Sequence, residues 1–180
     1  MKIYGSTTSP FVRRLRLLLA EREYEFVPFN IFGKEREALK ETNPTLKIPM
    51  FEDENNPDMP RLFDSGVTYR YLAEKLALEP LTLHQQNVLS VMDACSDSLV
   101  NTMLLTRSGV DTSQDKMYFN IQRERQQASF DYLEKQVTEQ GFASWNYSAI
   151  CLLVLIEWAQ FRNLYEFSDY PNLLKFVADN

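Results

Sequence analysis

Ser9 and Pro10 separate two hydrophobic patterns that cannot belong to one element. Before them, Lys2-Ile3-Tyr4-Gly5 reads as a short strand that Gly5 ends. After them, Phe11, Leu15 and Leu18 recur at i, i+4 and i+7, and Val12, Leu15 and Leu19 at i, i+3 and i+7. That spacing describes a helix with a broad apolar face. Serine is a favoured N-cap, and proline at the first helical position gives up an N–H that has no intrahelical acceptor. The junction has two readings. Ser9 caps a helix and does nothing else, or its hydroxyl sits where the positive helix N-terminus would stabilise a thiolate.

The pattern that follows is strand, helix, strand, strand, helix. Tyr24 to Phe29 is aromatic and β-branched, and Pro28 puts that strand at an edge or ends its pairing. Lys34 to Thr42 is a short charged helix stopped by Asn43-Pro44. Lys47 to Phe51 is a strand interrupted early by Pro49, residues 52–60 are an exposed acidic loop, and Arg61-Leu62-Phe63 is a brief strand. Asp64-Ser65 opens a helix carrying Val67, Tyr71, Leu72 and Leu76. The order β-α-β-α-β-β-α demands a parallel pair with a right-handed crossover, then an antiparallel hairpin.

After Leu78-Glu79-Pro80 the strand signals stop. Thr82 to Gln85 fits a capping box, and the helix behind it carries Val88, Val91, Met92, Cys95, Leu99 and Met103 on one face up to Gly109. A second helix spans about 114–140, with Ile121, Ala128, Leu133 and Val137 as core positions and Gly141 as its stop. Asn146 caps an apolar helix running to Arg162, and Pro171 starts the last one. The fold class is therefore α/β plus all-α, with domains at 1–77 and 81–180.

Composition limits what such a chain does. A net charge of −6 leaves no basic stripe to displace counterions from phosphates, which argues against nucleic acid. Arg13, Arg14 and Arg16 are the one basic cluster and read as a solvated helix face. Cys95 and Cys151 lie far apart without CxxC spacing, which suits a reducing, cytoplasmic compartment, and Cys95 falls on an apolar face as an inert core thiol. The single His84 leaves no histidine-based metal set or triad. The N-terminus has no secretory apolar stretch, and the longest apolar run, Ala149 to Ile156, is too short to span a membrane.

Three motifs in this order and spacing resemble the glutathione S-transferase family, in its bacterial, serine-type form: Thr8-Ser9-Pro10-Phe11-Val12-Arg13, Asn43-Pro44 with Lys47-Ile48-Pro49, and Asp64-Ser65 leading to Tyr71-Leu72. The helical half is similar too, through Met92-Asp93-Ala94 to Asp97 and Glu157-Trp158-Ala159-Gln160-Phe161-Arg162. The resemblance implies a thioredoxin-like, glutathione-binding N-terminal domain and a helical domain for a second substrate. It implies a cytoplasmic homodimer that conjugates glutathione to a small electrophile in detoxification, without a metal.

By that resemblance Ser9 would donate a hydrogen bond to the glutathione sulfur, with Phe11 beside it. Pro49 would follow a cis bond, and Ile48 would pair with the cysteinyl backbone. Asp64 and Ser65 would take the γ-glutamyl ammonium and carboxylate, and Lys47, with Lys34 behind it, the glycyl end. Each residue also has a plainer reading: Pro49 as a strand-edge proline, against which the Lys-Ile-Pro order speaks, Asp64-Ser65 as an N-cap pair, and Lys47 as surface charge. Asp93 and Asp97, one turn apart, either line the second-substrate cleft or face solvent. One departure is that Asn146 and Ala149 stand where the family often has Ser or Thr and Asp, which removes a reciprocal capping bond. Two rivals share the scaffold: a binding or regulatory protein without transferase chemistry, and a glutathione-dependent reductase, which would need a cysteine where Ser9 stands.

Overall fold

The computed structural model describes residues 1–139, 142 and 144–180. The elements run β1 (Lys2–Gly5), α1 (Pro10–Leu18), β2 (Glu25–Pro28), α2 (Glu35–Thr42), β3 (Met50–Glu52), β4 (Arg61–Phe63) and α3 (Ser65–Lys75), then α4 (Leu83–Arg107), α5 (Met117–Glu139), α6 (Tyr147–Phe161) and α7 (Pro171–Asp179). They fall into two compact units, Met1–Pro80 and Leu81–Asn180. The first is thioredoxin-like and the second helical.

In the first unit the sheet order is β2-β1-β3-β4, with β1 and β2 parallel and the other pairs antiparallel. Pro28 lies on the edge strand, where its missing N–H disrupts no ladder on a second side. Val12, Leu15 and Leu19 are fully buried, as the heptad-like spacing requires. Gly5 has a packing reason as well: a Cβ there would run into the side chain of Val12, so glycine lets α1 fold back closely on β1. The expected strand at 47–51 begins at Met50, because Pro49 offers no N–H to the ladder.

Two readings in this unit need correction. Arg14 does not lie on a solvated face: it is 1% exposed, with its guanidinium 5.0 Å from the centroid of the Phe11 ring, and Arg16 lies 4.4 Å from the Phe26 ring. Flat guanidinium groups bury against aromatic faces in a way that charge counting does not register. In α3 the buried residues are Ser65, Thr68, Tyr69 and Leu72, whereas Val67 is exposed. The inward stripe contains a serine and a threonine, so the apolar pattern misplaced it.

In the second unit α6 is the core: Tyr147 through Ile156 are all buried. Asn146 caps it, its Oδ1 accepting from the N–H groups of Ser148 (3.0 Å) and Ala149 (3.2 Å), so the departure at Ala149 does not prevent a cap. Thr82 and Gln85 form both bonds of a capping box on α4. By length and composition α4 is long and apolar enough to cross a membrane, but its buried face, Val88, Met92, Cys95 and Leu99, packs within the unit against α5 and α6. Helix α5 departs from expectation. Ile121 and Ala128 are exposed, and the inward positions are Gln122, Gln126, Ser129, Phe130, Leu133 and Gln136. The predicted end at Gln140 and stop at Gly141 lie outside the described residues.

Candidate functional site

The register of the sheet brings three separate segments to one end. Tyr4 of β1 pairs with Met50 of β3, and Met50 pairs with Phe63 of β4. One step beyond that row, β1 runs through Gly5 towards Ser9, β3 is preceded by Ile48-Pro49, and β4 passes into Asp64-Ser65. Both α1 and α3 begin at this end, so two positive helix termini sit together. With strands about 4.8 Å apart, β1 and β4 are separated by roughly 10 Å, the reach of three extended residues.

Ser9 is the N-cap of α1, in extended backbone geometry and half-buried. Its Oγ accepts from the Val12 N–H at 3.4 Å, which uses a lone pair and leaves the hydroxyl proton available to donate. Pro10 occupies the first helical position, and Phe11, half-buried, follows in the same turn. Two nearby hydroxyls are engaged elsewhere: Thr8 Oγ1 lies 3.0 Å from Ser6 Oγ, and the Tyr4 hydroxyl donates to Glu52 Oε2 at 3.5 Å, toward the opposite end of the strands.

The Ile48–Pro49 peptide is cis, as the resemblance implied. Pro49 is buried, Ile48 half-buried and Lys47 exposed. The segment is fixed from behind by Asn43, fully buried, whose Nδ2 donates to the Lys47 carbonyl at 2.9 Å and whose Oδ1 accepts from the Thr45 N–H and hydroxyl. The Asn43-Pro44 pair thus does more than stop α2.

Asp64 caps α3, its Oδ1 accepting from Gly66 N–H at 2.7 Å and Val67 N–H at 3.4 Å. Its backbone lies at φ 77° and ψ 143°, a conformation L residues rarely adopt. Ser65, the first residue of α3, is buried. Lys34 is exposed just before α2, and Asp93 (half-buried) and Asp97 (exposed) lie on α4.

A residue set that sequence reading missed lies at the other end of α3. Asp53, 1% exposed, accepts from Lys75 Nζ at 2.7 Å and the Tyr71 hydroxyl at 2.8 Å through Oδ2, and from Asn55 N–H at 3.1 Å through Oδ1. Burial would push this carboxyl up, but those hydrogen bonds outweigh it and hold it at about 2. The triad ties the acidic loop to α3. Burial also pushes the Cys95 thiol up to about 12, which makes it inert.

A family model for the glutathione S-transferase N-terminal domain matches residues 3–80. Residues 3–80 therefore form a glutathione S-transferase N-terminal domain. The chain is 27% identical to the uncharacterized glutathione S-transferase-like protein YibF of Escherichia coli K12, over 99% of this chain and 93% of that protein. Among solved structures, a glutathione S-transferase from Methylobacillus flagellatus with glutathione bound superposes with a TM-score of 0.82 at 20% identity, covering 99% of this chain and 93% of that one. A maleyl pyruvate isomerase described as a bacterial Zeta-class glutathione S-transferase superposes with a TM-score of 0.74 at 20% identity, covering 99% and 91%. Glutathione S-transferase architecture therefore extends over the whole chain, while the reactions of those relatives differ.

Proposed function

We propose that this chain is a serine-type glutathione transferase that joins the glutathione sulfur to a small electrophile. The carrying observation is the convergence of Ser9, Ile48-Pro49 and Asp64-Ser65 at one end of the sheet, over a span suited to a tripeptide. In this reading the Ser9 hydroxyl, already accepting from Val12, donates to the sulfur and favours the thiolate, the form that attacks. The backbone of Ile48 pairs with the cysteinyl unit as an added strand would. Asp64 takes the ligand's ammonium, Ser65 at the α3 N-terminus takes the γ-glutamyl carboxylate, Phe11 packs beside the thiol, and Lys47 faces the glycyl carboxylate. We assign the electrophile to the helical unit, and infer a cytoplasmic homodimer with a detoxifying role that needs no metal, nucleic acid or membrane.

Two observations weigh against a glutathione-dependent reductase: the helix N-terminus carries serine, and both cysteines are buried. The test is glutathione conjugation to a generic aryl halide by the purified protein. A glutathione-dependent rate well above the spontaneous one supports the reading. Tight glutathione binding with no turnover across a broad electrophile panel would assign the chain to the binding-protein class instead.

A further inference from the structure

The backbone of Asp64 is the least comfortable conformation at the proposed site, and the structure shows what holds it. Its carbonyl accepts two hydrogen bonds from one residue, the Thr68 N–H at 3.1 Å and the Thr68 hydroxyl at 2.8 Å. Thr68 is fully buried. A helix needs only the N–H bond; the hydroxyl bond is additional, and threonine back-bonding of this kind brings a helix no stability of its own. Gly66 cooperates, since a Cβ there would lie 3.1 Å from Asp64 Oδ1 and crowd the side-chain cap. An unfavourable backbone geometry persists only where its surroundings over-determine it, and here Thr68 Oγ1 supplies the extra constraint.

We propose that Thr68 is a positioning residue for ligand binding: its hydroxyl pins the Asp64–Ser65 peptide plane in the binding-competent orientation. The inference rests on the reading that Asp64 and Ser65 hold the α-amino acid end of glutathione. If Asp64 relaxes to an ordinary extended or helical geometry, that peptide plane rotates and carries the Ser65 N–H and the Asp64 carboxylate away from the ligand. The apparent affinity then falls in proportion to the competent fraction that remains. The chemistry at the sulfur, held at α1, stays as it was once glutathione is bound.

The experiment compares wild type, Thr68→Val and Thr68→Ser by calorimetry with glutathione, by steady-state kinetics and by thermal melting. Thr68→Val, isosteric but without the hydroxyl, is expected to weaken binding and raise KM for glutathione about three- to tenfold, with kcat at saturation unchanged. Thr68→Ser keeps the hydroxyl and is expected to bind within about twofold of wild type, the rescue that marks the hydroxyl as the cause. If Thr68→Val fails to fold, Thr68→Ala gives the same comparison. A folded Thr68→Val with wild-type affinity, or Thr68→Ser as weak as Thr68→Val, overturns the positioning role alone. Wild type that binds no glutathione overturns the functional reading and this role with it.

Discussion

Ser9 and Asp64 each cap a helix with a side-chain oxygen, and the pairing of Tyr4, Met50 and Phe63 sets both caps at the same end of the sheet. One cap retains a hydroxyl proton and the other a carboxylate oxygen beyond those its helix uses. Under the proposed function, a ligand carrying both a thiolate and an α-amino acid group would meet the hydroxyl donor at α1 and the carboxylate acceptor at α3.

Replacing the groups at the α3 end is expected to weaken binding before it slows chemistry. Ser65→Ala or Asp64→Asn is expected to reduce glutathione affinity tenfold or more, since a hydrogen bond to a charged group is worth about 1.5–3 kcal/mol. Isothermal calorimetry reads this directly. No change in either variant removes the α-amino acid site from α3.

The Asp53 triad gives the first unit an acid-sensitive clamp. Because the folded carboxyl titrates at about 2, below its ordinary value, its contribution is complete above about pH 4 and disappears as pH falls toward 2. With Lys75 partly solvated, that contribution is on the order of 1–2 kcal/mol. Denaturant titrations from pH 6 to about 2 are expected to show Asp53→Asn less stable than wild type at neutral pH, with the difference shrinking as pH falls toward 2. A constant difference across that range would mean the carboxylate charge is not the source.

Helix α7 depends on a cap supplied from α5. Tyr170 offers no side-chain cap, and Glu134 serves instead, accepting from Asn172 N–H (2.9 Å) and Nδ2 (2.6 Å) and from Leu173 N–H (2.9 Å). Glu134→Ala is expected to cost about 1–2 kcal/mol, seen as a lower melting temperature, with Glu134→Gln recovering part of it. An unchanged melting temperature would show that α7 docks by its apolar residues alone.

Much of this was legible in the sequence wherever a short-range rule applies. Ser9-Pro10, Thr82 with Gln85, and Asn146 announce their helices because capping needs only neighbours. What was hidden depends on partners distant in the chain. The apolar pattern placed Ile121 and Ala128 in the core of α5, yet Gln122 and Gln126 face inward because Ser98 answers them: its hydroxyl donates to Gln122 Oε1 at 2.7 Å and accepts from Gln126 Nε2 at 3.2 Å. Arg14 was misplaced for a different reason: its charge suggested solvent, although Phe11, whose ring it packs against, lies only three residues away. At the site, the Asp64-Ser65 motif was visible, but the hold of Thr68 on the Asp64 carbonyl was not, because Val67 drew the apolar stripe one residue away.

The most direct measurement is the titration of glutathione bound to the protein, followed by thiolate ultraviolet absorbance in wild type and Ser9→Ala. In wild type the bound thiol is expected to ionise clearly below the ordinary thiol value of about 8.5, and in Ser9→Ala to return toward it. Conjugation should then slow by roughly ten- to a hundredfold, with affinity for glutathione changed less. The same depressed ionisation in both proteins, at equal conjugation rates, would contradict the assignment of Ser9 as the group that activates the sulfur.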